Sequence, residues 1–262
     1  MQQLHVIEER NFMNNFKSVF ENKKAIVPFF VCGNPNLEKT GDFIRAAEKN
    51  GADMVVLGIP FSDPTVEGIV VQEANICALK AGVTTDKIFT FIKKLREDVQ
   101  IPLVFMTYAN VVFSYGTEKF MAACKELKIE GIILHDIPFE EKEEFAPICK
   151  EYGICLISQI APASEERMAM IAKEAEGFLY IISGGKTKEE MGKLIKAVRE
   201  NTTTPCMVVM ENLGLEHVNM VAEMVDGMMP DEALVQLIAE HGDDAAFAVG
   251  QYVKEMKQAV VQ

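Results

Sequence analysis

Eight times along the chain a short run of apolar and β-branched residues gives way to a longer segment with helical period. This alternation constrains the fold more than any other feature. Strands joined through helices run parallel, and parallel strands need both faces covered. The runs are "AIVPFFVCG" (25–33), "MVVLGI" (54–59), "IPLVFMTY" (101–108), "GIILHDIP" (131–138), "ICLISQIAP" (154–162), "FLYIIS" (178–183), "TPCMVVME" (204–211) and a short "DGMMP" (226–230). Helical segments follow each. Thr84 opens one as a cap, Ser164 and Glu166 open another, and "FEEKEEFAPICKEYG" (139–153) reads as a single helix. About eight β/α units in roughly 240 residues predict a single (β/α)8 (TIM) barrel over 1–262, with an extra N-terminal helix. A doubly wound open sheet is the alternative, but its Gly-rich first turn is missing: "VCGNPN" is not GxGxxG.

Composition narrows the function. The net charge is −13, and so acidic a surface repels phosphate backbones and anionic lipid. Nucleic-acid and membrane partners are therefore not expected. The opening "MQQLHVIEERNF" carries acids and no long apolar run, so the expected compartment is the cytoplasm. None of the six cysteines forms a CxxC, and the four histidines are scattered, so reduced core thiols and no metal are expected.

In such a barrel, function sits at the carboxyl ends of the strands. That rule selects Cys32 to Pro35, Pro60 to Glu67, Tyr108 to Asn110, His135 and Asp136, Gln159 to Pro162, Ser183 to Lys188, Glu211 to Gly214 and Pro230 to Glu232. "GKT" at 185–187 is not a P-loop, because GxxxxGK[ST] would need Gly at Tyr180. Gly184, Gly185 and Lys186 at a helix start could hold a small anion or be an ordinary turn.

The segments "PFFVCGNP", "GADMVVLGIPFSDPTVEG", "MTYANVVFSYG", "HDIPFEE" and "EGFLYIIS" resemble the tryptophan synthase alpha chain family, strongly over about residues 16–182 and more weakly beyond. The resemblance implies a barrel that cleaves indole-3-glycerol phosphate to indole and glyceraldehyde 3-phosphate. It implies no cofactor in this chain. Pyridoxal phosphate would belong only to a tryptophan synthase beta chain, the expected partner in a heterotetramer-like complex. Two carboxylates carry the family's proton transfers, which only a group that gains and loses a proton can perform.

Set in the family's register, the strand-2 glutamate position is Val56, and the loop carboxylate position is Glu67. Phe29, Met106, Tyr108 and Tyr180 fall on positions that line the substrate pocket. Asp63, Pro64 and Asn110 fall on the surface that meets the beta chain. The family's phosphate-binding turns look degraded. "VMENL" (209–213) replaces a Gly-rich turn and brings Glu211, while "PDEA" (230–233) brings Asp231 and Glu232. Two carboxylates within ~4–6 Å of a phosphate would each cost it a few kcal/mol at an effective dielectric near ~20. The loop bearing Gly184 and Gly185 is short where the family's is long. The expectation is an alpha-chain-like protein whose lyase activity is lost or strongly reduced and which acts on a beta chain. The alternatives are a working lyase, or altered chemistry on a non-phosphorylated ligand at an acidic mouth.

Overall fold

A computed structural model describes residues 16–210 and 218–261. Its strand segments are β1 (Ala25–Ile26), β2 (Phe29–Val31), β3 (Val55–Gly58), β4 (Leu103–Thr107), β5 (Ile129–Leu134), β6 (Cys155–Leu156), β7 (Ser158–Ile160), β8 (Leu179–Ile181), β9 (Cys206–Val209) and β10 (Gly227–Met229). All pair parallel, in two ladders ordered β1-β10-β9-β8-β7 and β2-β3-β4-β5-β6. The ladders share two broken strands. β1 and β2 are interrupted at Val27 and Pro28, and β6 and β7 at Ile157. Backbone bonds run through both breaks: Val56 N–H donates to Pro28 O at 2.9 Å, and Ile157 N–H to Ile132 O at 2.9 Å. Joining each broken pair leaves eight parallel strands closed into the expected barrel, with residues 16–20 helical ahead of it.

Helix ends follow local chemistry. Thr84 Oγ1 accepts from Lys87 N–H and Ser164 Oγ from Arg167 N–H, both at 3.3 Å, as those caps predict. Thr187 and Glu190 form a capping box that starts the helix Lys188–Arg199 soon after Ser183, so the turn through Gly184 and Gly185 is short. One expectation is corrected. Residues 139–153 are a 3₁₀ turn, Phe139–Glu144, followed by a separate helix, Ala146–Tyr152. Pro147 sits in the first turn of the second helix, where its missing N–H is harmless; within one continuous helix it would remove a hydrogen bond and collide with the preceding turn.

Side-chain alternation fixes which residues fill the barrel. Phe30 packs against Phe43, and Phe105 against Phe89 and Phe120, all on outer helices. Their neighbours Phe29, Val104 and Met106 therefore face inward. The register Phe29–Val56–Val104 places Val56 in the same interior layer, and it is fully buried. At the opposite end, Asp53 accepts from Ile26 N–H at 2.8 Å and pairs with Lys23 and Lys257, and Asp226 pairs with Arg199 while accepting from Cys206 N–H. These ties secure the floor and leave the strand carboxyl ends for function. Among the described residues no helix is long and apolar enough to cross a membrane.

Candidate functional site

Val56, on the strand position matched above to the family's glutamate, is fully buried. Val56 lies between Phe29 and Val104 in register, and the Phe29 ring covers Gly58, where an added Cβ would stand 2.8 Å from Phe29 Cζ. Phe29, Met106, Tyr108 and Tyr180 are each 5 % exposed or less. The residues expected to line a substrate pocket are thus all buried, Phe29 against Gly58, and Tyr108 and Tyr180 each near His135.

Polar groups gather to one side, at the ends of β4, β5 and β7. Glu67, in the loop after β3, accepts a hydrogen bond from the Tyr108 hydroxyl, which in turn accepts from Thr65 N–H at 2.9 Å. The Tyr108 ring stacks on Phe61, with centroids 4.7 Å apart. Burial first, and then the Glu67 carboxylate, push the Tyr108 phenol up to about 12, so it donates at any ordinary pH. Centroid distances of 5.9 Å from His135 to both Tyr108 and Tyr180 place the imidazole between the two tyrosines. Asp136 turns away to accept from Ala109 N–H at 2.8 Å, which orders the start of the helix Ala109–Tyr115.

The His135 tautomer follows from its partner. Gln159 Nε2 donates to Leu134 O at 2.6 Å, so Gln159 Oε1 faces His135 Nδ1 at 2.8 Å as an acceptor. Nδ1 therefore carries the proton. Burial lowers the His135 pKa, while Glu67, Gln159 and Asp136 pull it up. The ring is neutral at pH 7 and presents Nε2 as a bare acceptor.

The positions matched above to phosphate-binding turns fall in different places. Glu211 lies outside the described residues. Asp231 stands at the N-cap of the helix Glu232–His241. The Glu232 carboxylate leans across to Gly68, where any Cβ would collide with it. Glu232 thus lies against the residue after Glu67, whose own carboxylate is turned to the Tyr108 hydroxyl. Gly184 and Gly185 adopt φ of 60° and 69°, the left-handed turn that glycine accommodates, beside Pro162. Asp63 and Asn110 are exposed and Pro64 is half-buried. Among the described residues no group of His, Cys, Asp and Glu is arranged to hold a metal. All six cysteines are free, and burial pushes the Cys32 and Cys149 thiols up to about 12. Strand-end position alone picked out His135 and Gln159. Their pairing, the hydrogen bond from Tyr108 to Glu67 and the lean of Glu232 onto Gly68 were not read from the sequence.

A closed eight-stranded parallel barrel with its polar groups at the strand carboxyl ends defines the class: a (β/α)8 barrel protein built on the plan of the barrel enzymes. The sequence model of the tryptophan synthase alpha chain matches residues 16–261. The alpha chain of Lacticaseibacillus casei is 35% identical over 255 residues, 95% of this chain and 96% of that one. That of Alkaliphilus metalliredigens is 39% identical over 224 residues, 83% and 84% of the two chains. The alpha subunit from Legionella pneumophila superposes with a TM-score of 0.88 at 30% identity, covering 97% of this chain and 98% of that one. The chain belongs to the tryptophan synthase alpha chain family. It is an alpha-chain-like protein of tryptophan biosynthesis, and members of the family have no cofactor of their own, pyridoxal phosphate being carried by the beta chain.

Proposed function

We propose that this alpha-chain-like protein has lost, or very nearly lost, the cleavage of indole-3-glycerol phosphate and works as the partner and activator of a tryptophan synthase beta chain. The observation that carries the first half is Val56. It has no proton to give, it is fully buried, and it occupies the interior layer from which an acid would have to act. Loss of a general acid–base group typically costs ~10²–10⁴-fold in rate. Asp231 and Glu232 at the start of the final strand's helix support the same reading, since negative charge at that helix start would oppose a phosphate there.

Two observations support the second half. Among the described residues, the large exposed apolar side chains include Val66, Ile69, Ile76 and Phe113, on the loop and helices that follow β3 and β4. Exposed apolar side chains suit burial against a partner. The loop itself keeps Asp63 exposed beside Pro64. A tryptophan synthase a2b2 complex from Pyrococcus furiosus, described as mutually activating, contains a chain 30% identical to this one, with a TM-score of 0.83. Activation without chemistry needs only that this chain contact two states of the beta chain differently.

The test is indole release from indole-3-glycerol phosphate, with and without a beta chain, alongside beta-chain tryptophan formation from indole and serine. The expected result is lyase turnover at least ~100-fold below an ordinary alpha chain, with beta-chain turnover rising as this chain is added. Turnover within about tenfold of an ordinary alpha chain would overturn the loss of lyase activity. A flat titration without co-elution on gel filtration would overturn the partner role.

A further inference from the structure

One sector of the barrel's outer face lacks full cover. The register runs Leu57–Phe105–Ile132–Leu156 across β3, β4, β5 and β6, so these side chains form one outward row. Leu57, Phe105 and Ile132 are fully buried, but Leu156 is only half-buried, as is Ser158, the next outward residue. A parallel strand ordinarily has both faces covered. Here the cover is divided: the 3₁₀ turn Phe139–Glu144 stands where a helix would begin, and the helices Ala146–Tyr152 and Glu165–Lys173 are both short. A cavity of about 810 Å³ lies between them. Ile154, Leu156 and Ser158 form its floor, and Phe139, Ala146 and Ile171 its walls. It extends as far as Gln159 at the strand carboxyl ends, and residues 154 to 159 span roughly 16 Å at ~3.3 Å per residue. The space is therefore a long slot on the outside of the barrel, apart from the interior layer of Phe29, Val56 and Met106.

We infer that this slot binds a linear aliphatic ammonium compound, its hydrocarbon chain laid along the outer face of β6 and its charged end at the acidic rim of Glu143 and Glu176. Shape selects the chain. The slot is long, and its floor and walls are largely apolar, so a flexible row of methylenes gains by leaving water there. Charge selects the head. The cations at the rim are already engaged: Lys142 pairs with Glu174, Arg167 pairs with Glu140, and Lys150 has interactions of its own. Asp136 accepts from Ala109 N–H. Glu143 and Glu176 also line the slot, both are exposed, and among the described residues neither has a pairing cation. The bond between Lys142 and Glu174 draws them to the same part of the rim, since Glu143 follows Lys142 and Glu176 lies just beyond Glu174. An ammonium group there meets two spare carboxylates and keeps its water, while a carboxylate head would be repelled.

The test uses the isolated chain, with neither a lyase substrate nor a beta chain, so its outcome is independent of whether lyase activity is lost. The probes are n-octylammonium, octanoate and n-butylammonium, titrated by calorimetry at about 0.15 M salt to screen the chain's net charge. Saturable binding of n-octylammonium at a single site is expected, at least about tenfold tighter than octanoate, from the sign of the head. Butylammonium is expected to bind at least about tenfold more weakly, because it buries fewer methylenes. Methyl NMR is expected to show shifts at Ile154, Leu156 and Ile171 on addition of n-octylammonium. The exposed pair Glu143→Gln and Glu176→Gln, made together, is expected to remove the preference for the ammonium head and leave the chain-length preference in place. Leu156→Trp, which fills the slot, is expected to abolish binding. No saturable binding, equal affinity for octylammonium and octanoate, no dependence on chain length, unmoved methyl resonances, or an unchanged head preference in the double variant would each overturn the inference. Undiminished binding in a folded Leu156→Trp chain would also overturn it. Should Leu156→Trp fail to fold, the methyl shifts and the double variant decide.

Discussion

Two halves of one barrel mouth have gone different ways. Where β2, β3 and β4 meet, the interior is sealed: Phe29 lies over Gly58, Val56 is dry, and no titratable group faces in from these strands. Where β5 and β7 meet, two polar side chains are held in one orientation beside an open cavity. The backbone ladder is continuous and parallel through both halves. The difference is therefore made by side chains alone. A barrel can vary from a packed apolar interior at one strand to a polar pair two strands away without altering its frame.

The comparison is broken most severely by returning an acid to the sealed half. Val56→Glu places a carboxylate where nothing can pair with it, and is expected to cost about 3–5 kcal/mol of stability, read as a fall in the urea midpoint. It is also expected to leave lyase turnover unrestored, because Glu232 and Asp231 still oppose a phosphate; isothermal calorimetry of the variant should show no binding of glycerol phosphate at millimolar or lower concentration. Micromolar binding would mean that Asp231 and Glu232 do not oppose a phosphate. Gly58→Ala sharpens the same point at a smaller scale. The new methyl meets the Phe29 ring at 2.8 Å and is expected to cost about 1–3 kcal/mol; a neutral result would show that the packing there is loose.

On the polar side the effects are gentler. Tyr108→Phe removes the hydroxyl that joins Glu67 to the backbone of Thr65, and is expected to cost about 1–2 kcal/mol, with faster hydrogen exchange at Thr65 and Val66 as the local readout. The smallest effect is in pH. His135 is the group concerned, and Glu67, Asp136, Tyr108 and Tyr180 face it. Its folded pKa is lowered by burial, so the unfolded chain takes up a proton near 6.5 that the folded chain refuses. Its contribution is therefore full above that value and is lost as pH falls through the folded pKa. Between pH ~7.5 and ~5.5 the wild-type chain should lose more stability than His135→Gln. Equal slopes would mean that the imidazole is solvated.

The barrel was legible because period is a local property: each strand is an apolar run, each helix an amphipathic one, and Thr84 and Ser164 announce their caps. The buried, inward place of Val56 was legible because it lies in the middle of an apolar strand run. The division of residues 139–153 was overlooked, although Pro147 signals it. The pairing of His135 with Gln159 joins residues 24 apart on neighbouring strands, and only the closed barrel brings them together. The same holds for Glu232 and Gly68, which lie at opposite ends of the sequence but on adjoining parts of the rim. No periodicity encodes such a meeting.

The lean of Glu232 onto Gly68 also ties together two distant parts of the sequence. Glu232 opens the helix after the last strand, and Gly68 ends the loop after β3, yet each rests on the other at the rim. A larger residue at 68 would have to displace the Glu232 side chain, and with it the start of that helix. Substitutions at either place are therefore felt at both, and the rim varies as a unit rather than residue by residue.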